Sequence, residues 1–364
     1  MNNIRNEKQE IEIKEKNNFL VGVVEGFYGR VWRDADRRAY AELMPAMGLN
    51  AYLYCPKADP WLRRQWQDHW PPAEWRQLCA LGQHFRQRDL HFGVGLSPFA
   101  LYRHYGEAER RQLRDKVLRL ADLDASLLAV LFDDMPGDVA DLAERQAQIL
   151  ADIRHWLPEM RLLMCPTYYS TDPVLEKHFG AMPPGYWEQL GVSVSEDVDI
   201  FWTGSRVCAE RIGAEELLDM GELLRRPPTL WDNYPVNDGA VRSKHLYSEP
   251  LPGREPGMGA ALRGHFCNPM NQAWLSLPAL RGLAELYRTD RLPPDWEQSL
   301  LGSACWQRLQ RDGRRFQEQG LDALGDSERQ RLAAEYAGLP GAAAAEVAAW
   351  LRGEYTFDPA CLTD

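Results

Sequence analysis

The sequence predicts an α/β fold, a (β/α)8 barrel carrying a short C-terminal helical appendage. Three observations predict it: short apolar runs alternate with longer amphipathic stretches, the alternation repeats eight times, and a proline pair then breaks the pattern. The runs are 19–25 (FLVGVVE), 50–55 (NAYLYC), 91–96 (HFGVGL), 127–133 (LLAVLFD), 161–165 (RLLMC), 199–203 (DIFWT), 229–232 (TLWD) and 264–267 (GHFC). Unbroken apolar runs suit strands covered on both faces, as in a parallel sheet. The stretches between them, such as 107–123 and 138–157, carry helical periodicity, and an eighth helix is expected over 271–287. Strands alternating with helices imply a parallel sheet, and eight units over about 270 residues approach the roughly 250 of a closed barrel. A doubly wound open sheet is the alternative left standing by the pattern alone.

Three segments are expected along the chain. Residues 1–18, rich in Asn, Glu and Lys where the remainder uses mainly Arg, form an N-terminal extension. Residues 19–290 form the barrel. Pro293 and Pro294 cannot continue a helix, so residues 291–364 form a helical tail whose first helix starts near Asp295 and whose last is the Ala-rich stretch 341–351.

Composition narrows the function. The 364 residues are 45% hydrophobic and 26% charged, which suits a folded domain rather than a disordered or fibrous chain. A formal net charge of -11 argues against a general nucleic-acid binder, which needs clustered Lys and Arg. Seven scattered cysteines with no CxxC argue against a disulfide framework or zinc cluster and for buried thiols. The eight histidines show no ligand spacing, so neither a metal nor another cofactor is expected. With no apolar stretch of leader or membrane-span length, a cytoplasmic location and no membrane partner are the default expectations. The oligomeric state is not legible.

In a (β/α)8 barrel the active site lies at the carboxyl ends of the strands. The residues closing the runs are polar to an unusual degree: Glu25-Gly26, Lys57, Ser97, Asp133-Asp134, Thr167-Tyr168-Tyr169, Thr203, Asp232-Asn233, Asp238 and Asn268. Two adjacent aspartates after an apolar strand would be costly to bury unless paired or used. A turn at Met135-Pro136-Gly137 offers them an ordinary role, and from this feature alone turn and function stand even. Neighbouring side chains on a strand point to opposite faces, so both can meet one ligand only where the chain leaves the sheet. Close carboxylates repel, which favours a proton donor beside an anion, the requirement for glycoside cleavage. Ordinary glycosidases hold their carboxyls about 5 Å or more apart across the scissile bond, which sequence neighbours do poorly. Substrate-assisted enzymes, in which the sugar's own 2-acetamido oxygen is the nucleophile, fit better.

Seven motifs occur in order along residues 22–271: GVVEGFYG at 22–29, YLYCPK at 52–57, LFDD at 131–134, CPTYY at 165–169, WTG at 202–204, WDNYPVND at 231–238 and NPMN at 268–271. Together they resemble glycoside hydrolase family 84, the O-GlcNAcase family. The resemblance implies a retaining exo-β-N-acetylglucosaminidase acting on a glycan or glycoprotein bearing terminal β-linked N-acetylglucosamine, through an oxazoline intermediate. It assigns Asp133 to orienting the acetamide and Asp134 to general acid and then general base. It assigns Gly26 and Lys57 to sugar hydroxyls, and Asn233, Asp238 and Asn268 to the acetamide side or the outer hydroxyls. Tyr169 would steady the acetamide oxygen, and Trp231 would wall the pocket around the N-acetyl methyl. The alternatives are cleavage of hyaluronan-like chains, which the negative charge disfavours, and non-hydrolytic sugar binding, which would not need the acid.

Two further features carry less. Trp61, Trp66, Trp70 and Trp75 are expected to pack along one helical face in preference to forming a sugar platform. Gly257-Met258-Gly259 lacks the third glycine and the strand context of a dinucleotide loop. Gly239 follows Asp238 where the family often carries a bulkier residue, so that edge of the pocket is expected to be more open.

Overall fold

The computed structural model describes residues 19–363, so the expected extension over 1–18 lies outside the described residues. Eight parallel strands close into a barrel in sequence order: β1 (Leu20–Glu25), β2 (Ala51–Tyr54), β3 (His91–Leu96), β4 (Leu127–Leu131), β5 (Arg161–Cys165), β6 (Asp199–Trp202), β7 (Thr229–Asp232) and β8 (Gly264–Cys267). Closure is made by β1 on β8, with Leu20 opposite Gly264 and Val23 opposite Cys267. This excludes the open doubly wound sheet. Nearly every strand residue is buried, as expected of a sheet covered by side chains inside and helices outside.

The covering helices are α1 (Asp34–Met47), α2 (Pro72–Arg86), α3 (Glu107–Ala121), α4 (Leu142–Trp156), the short α5 (Pro173–Phe179), α6 (Tyr186–Ser193), α7 (Ala214–Leu224) and α8 (Leu277–Tyr287). Gly48 ends α1 with φ 74°, a left-handed cap that a Cβ would strain. After α8 come α9 (Trp296–Leu301), α10 (Ser303–Glu318), α11 (Asp326–Ala337) and α12 (Ala342–Leu351), the last being the Ala-rich stretch. They are joined to the barrel by named contacts. Trp350 is fully buried and donates to the carbonyl of Ser243 at 3.0 Å, and Glu346 accepts from the backbone amides of Trp274 and Leu275.

Two local expectations are corrected. β4 ends at Leu131, not Asp133, because Asp134 takes φ 54° and turns the chain out of the sheet. The tryptophans pack, but not along one helix: Trp61 sits in a 3-10 turn, Trp66 and Trp70 in the following loop and Trp75 in α2. The rings of three of them meet in three dimensions, Trp61 to Trp70 at 6.3 Å and Trp70 to Trp75 at 5.7 Å, and Trp66 is buried. No helix among the described residues is long and apolar enough to cross a membrane.

Candidate active site

The carboxyl ends of the strands surround a cavity. All nine sequence-predicted site residues line it: Gly26, Lys57, Asp133, Asp134, Tyr169, Trp231, Asn233, Asp238 and Asn268.

Asp133 and Asp134 reach it by different means. Phe132 is still tied to β5 through its amide on Cys165 O at 2.8 Å, so Asp133 leaves from the rim of the sheet. Asp134 follows in the left-handed region, which Asp tolerates better than most residues, and both carboxyls thereby face one cavity. The turn reading and the functional reading of this pair are thus compatible.

Asp133 is buried, and Lys57 Nζ donates to its Oδ2. The remaining oxygen, Oδ1, is buried with no hydrogen-bond partner. Burial works against the Lys57 charge, but Asp133 beside it prevails and holds the ammonium above its usual value. Lys57 is in turn seated between aromatic faces, 5.8 Å from the Tyr28 ring and 6.0 Å from that of Trp231.

Asp134 accepts at both oxygens: Tyr28 donates to Oδ2 at 2.7 Å and Tyr169 to Oδ1 at 3.0 Å. Burial first, and the Asp134 charge second, push both phenols well above their ordinary value, so they remain O–H donors. Arg63 Nη2 donates to the Asp134 carbonyl at 3.1 Å and fixes the turn from outside.

The opposite part of the lining is a polar chain built on β7 and β8. Asn233 Oδ1 accepts from Trp231 Nε1 at 3.0 Å and from Asn268 Nδ2 at 2.9 Å, while Asn233 Nδ2 donates to Val207 O at 2.8 Å. Asn268 Oδ1 accepts from the Gly26 amide at 3.2 Å. Gly26 is required by packing, since a Cβ there would lie 2.2 Å from the Trp231 ring. Phe201 supports Trp231 edge-on at 5.2 Å, so the indole is both core and pocket wall. Asp238 is buried and accepts the Tyr28 amide at 2.7 Å; its burial raises the carboxyl to about 6.

Of the other polar strand ends Thr203 also lines the cavity, whereas Glu25, Asp232, Thr167 and Ser97 do not. Glu25 is turned away, held by both Arg37 nitrogens at 2.8 and 2.6 Å and by the Tyr52 hydroxyl. Asp232 is locked by Arg254 and by His265 Nε2 at 3.0 Å; despite burial, the Arg254 charge and the His265 contact bring it down to about 2. Arg254 also donates to Ala209 O and Glu210 O, so this pair ties the β7 end to the loop after β6 that carries Val207. Thr167 and Ser97 serve scaffold bonds, the first to Phe132 O and the second from Arg63.

Sequence reasoning did not single out Tyr28, Arg63, Arg242, Cys361 or Thr363. Tyr28 lies inside the first motif, so its signal was present. Arg63 reaches the Asp134 carbonyl from a loop after β2, and Cys361 and Thr363 line the cavity from the segment after α12; nothing in their local pattern points to these positions. Among the described residues, no group of three or more His, Cys, Asp or Glu side chains is placed to hold a metal ion.

The chain is similar to known proteins in sequence and in fold. The family model described as beta-N-acetylglucosaminidase matches residues 21–302. Protein O-GlcNAcase of Mus musculus and that of Rattus norvegicus are each 28% identical over 281 residues, which is 75% of this chain and 30% of their length. The fold matches a mutant of Thermobaculum terrenum O-GlcNAc hydrolase with TM-score 0.74 and 27% identity, covering 92% of this chain and 81% of that one. A family model that spans the whole barrel and every one of the nine predicted site residues places the chain: it belongs to the beta-N-acetylglucosaminidase family of glycoside hydrolases.

Proposed function

We propose that the protein is a retaining exo-β-N-acetylglucosaminidase that removes terminal β-linked N-acetylglucosamine from a glycan or glycoprotein with the help of the sugar's own acetamide. The observation that carries this reading is the state of Asp133: one oxygen is held by Lys57, the other is a buried acceptor with no partner, and the side chain lines the cavity with Asp134 beside it. A buried, unsatisfied carboxylate oxygen is costly to maintain, and an acetamide N–H is a donor that would satisfy it.

Mechanism follows from those positions. The acetamide N–H donates to Asp133 Oδ1, which makes its carbonyl oxygen more nucleophilic and stabilises the positive charge that develops on nitrogen. That oxygen forms a bond to C1 as the C1–O bond to the aglycone breaks, and the Asp134 carboxyl passes its proton to the departing oxygen. In the second step water attacks C1, the oxazoline C1–O bond breaks, and Asp134 takes the water proton. Two inversions at C1 leave the β configuration unchanged. The Tyr28 and Tyr169 hydroxyls hold the Asp134 carboxylate in place, and the Trp231 face with Asn233 and Asn268 shapes the wall for the sugar. Asp238 offers an acceptor to the outer hydroxyls. A cytoplasmic setting belongs to the same proposal.

A thiazoline mimic of the oxazoline tests the assisted route. It is expected to inhibit strongly, and a β-glucoside lacking the acetamide is expected to be inert. Turnover of that glucoside at a comparable rate would refute self-supplied nucleophilic attack.

A further inference from the structure

Residues 352–363 follow α12 without regular structure and finish against the candidate active site, beyond the stretch matched by the family model. The segment is anchored near its start, where the Arg30 guanidinium lies 4.8 Å over the Tyr355 ring. Asp358 then shapes a turn, its side chain accepting from Ala360 N and its carbonyl from Cys361 N, both at 2.9 Å. The turn delivers Cys361 Sγ to 3.8 Å from Asp238 Oδ1 and Thr363 Oγ1 to 3.5 Å from the Tyr169 hydroxyl. Cys361 and Thr363 both line the cavity.

These contacts coincide with groups that the proposed reaction needs. Asp238 Oδ2 is taken by the Tyr28 amide, so Oδ1 is the oxygen left for a sugar hydroxyl, and the Cys361 thiol stands on it. Tyr169 is the phenol that holds Asp134. Neither of these two contacts is a strong one: a thiol is a poor donor, and 3.5 Å is the outer limit of a hydroxyl bond. Little apolar burial adds to this, since Phe357 and Leu362 are 44% and 46% exposed.

We infer that residues 358–363 form a displaceable strap, hinged beyond Tyr355, that competes with the sugar for Asp238 and the Tyr169 side of the pocket. This rests on the glycosidase reading above. Substrate then binds only the fraction of molecules with the strap withdrawn, and the apparent affinity is reduced by that fraction. A strap seated nine times in ten would raise KM about tenfold and leave kcat untouched, because the bound state is the same once the strap has moved.

The test uses the full chain, a Cys361→Ala/Thr363→Ala variant of it, and a chain ending at Phe357, assayed on an activated aryl β-N-acetylglucosaminide. Thermal unfolding midpoints establish that each is folded. The double variant is expected to lower KM about 2- to 5-fold and the shortened chain about 3- to 10-fold, with kcat held in both. A synthetic peptide of residues 355–363 is expected to inhibit the shortened chain competitively. An unchanged or raised KM in the double variant, with the unfolding midpoint of the full chain, overturns the strap even if the shortened chain fails to fold. No turnover by any of the three overturns the glycosidase reading, and the strap with it.

Discussion

Lys57 satisfies one oxygen of Asp133 and leaves the other buried and unpaired, and this asymmetry divides the labour of the two adjacent aspartates. Asp134, by contrast, is held at both oxygens by the phenols of Tyr28 and Tyr169. One carboxylate is therefore set to receive a donor at a single atom, and its neighbour is held in place to exchange a proton.

The division predicts different leaving-group responses. Asp134→Asn is expected to lose roughly 100- to 10,000-fold in kcat/KM on a sugar with a poor leaving group and far less on an activated aryl glycoside, where protonation is scarcely required. Asp133→Asn is expected to impair both substrates alike. Rates across a series of aryl glycosides of graded leaving-group acidity check this; identical slopes for the two variants would contradict the assignment.

Asp238 predicts a pH dependence. Burial raises its carboxyl to about 6, so below that pH it is largely protonated and no longer a charged acceptor for a sugar hydroxyl. KM is expected to rise as pH falls through about 6, and Asp238→Asn is expected to weaken binding while removing that limb. The stability sign is separate. A carboxyl that holds its proton more tightly folded than unfolded adds stability that is full below the unfolded value near 4 and lost as pH rises through about 6. KM profiles of the parent and the variant between pH 4.5 and 8 decide the binding part.

Arg254 predicts a stability effect. Its guanidinium and the Asp232 carboxylate are both almost fully buried, and Arg254→Met would leave that carboxylate with only His265. Removing one partner of such a pair costs about 3–5 kcal/mol. The unfolding midpoint is expected to drop markedly, and Asp232→Asn in the same chain is expected to restore part of it. Denaturant titration of the two single variants and the double variant measures the coupling.

The barrel was legible because burial on both faces writes itself into composition: a strand covered by helices and by core has no polar alternate positions to spare. The aspartate pair was legible for the converse reason, since carboxylates at the end of an apolar run need an explanation. The motifs then named nine positions, and all nine meet at one cavity. Glu25 and Asp232 satisfy the same rule of position and are nevertheless diverted, one to Arg37 in α1 and the other to Arg254 in the loop before β8. Periodicity reports how deeply a residue is buried, not which partner waits there.

Local sequence thus determined the strands, the helices between them and the polar ring at the strand ends, because each depends on neighbours within a few residues. Only the tertiary structure decided which members of that ring face the cavity. Lys57 finds Asp133 across 76 positions, Gly26 finds Asn268 across 242 and Tyr169 finds Thr363 across 194. The physical reason is that a hydrogen bond or ion pair is set by distance and direction in space, and barrel closure with the path of the final segment brings those atoms together from parts of the chain that carry no mark of one another.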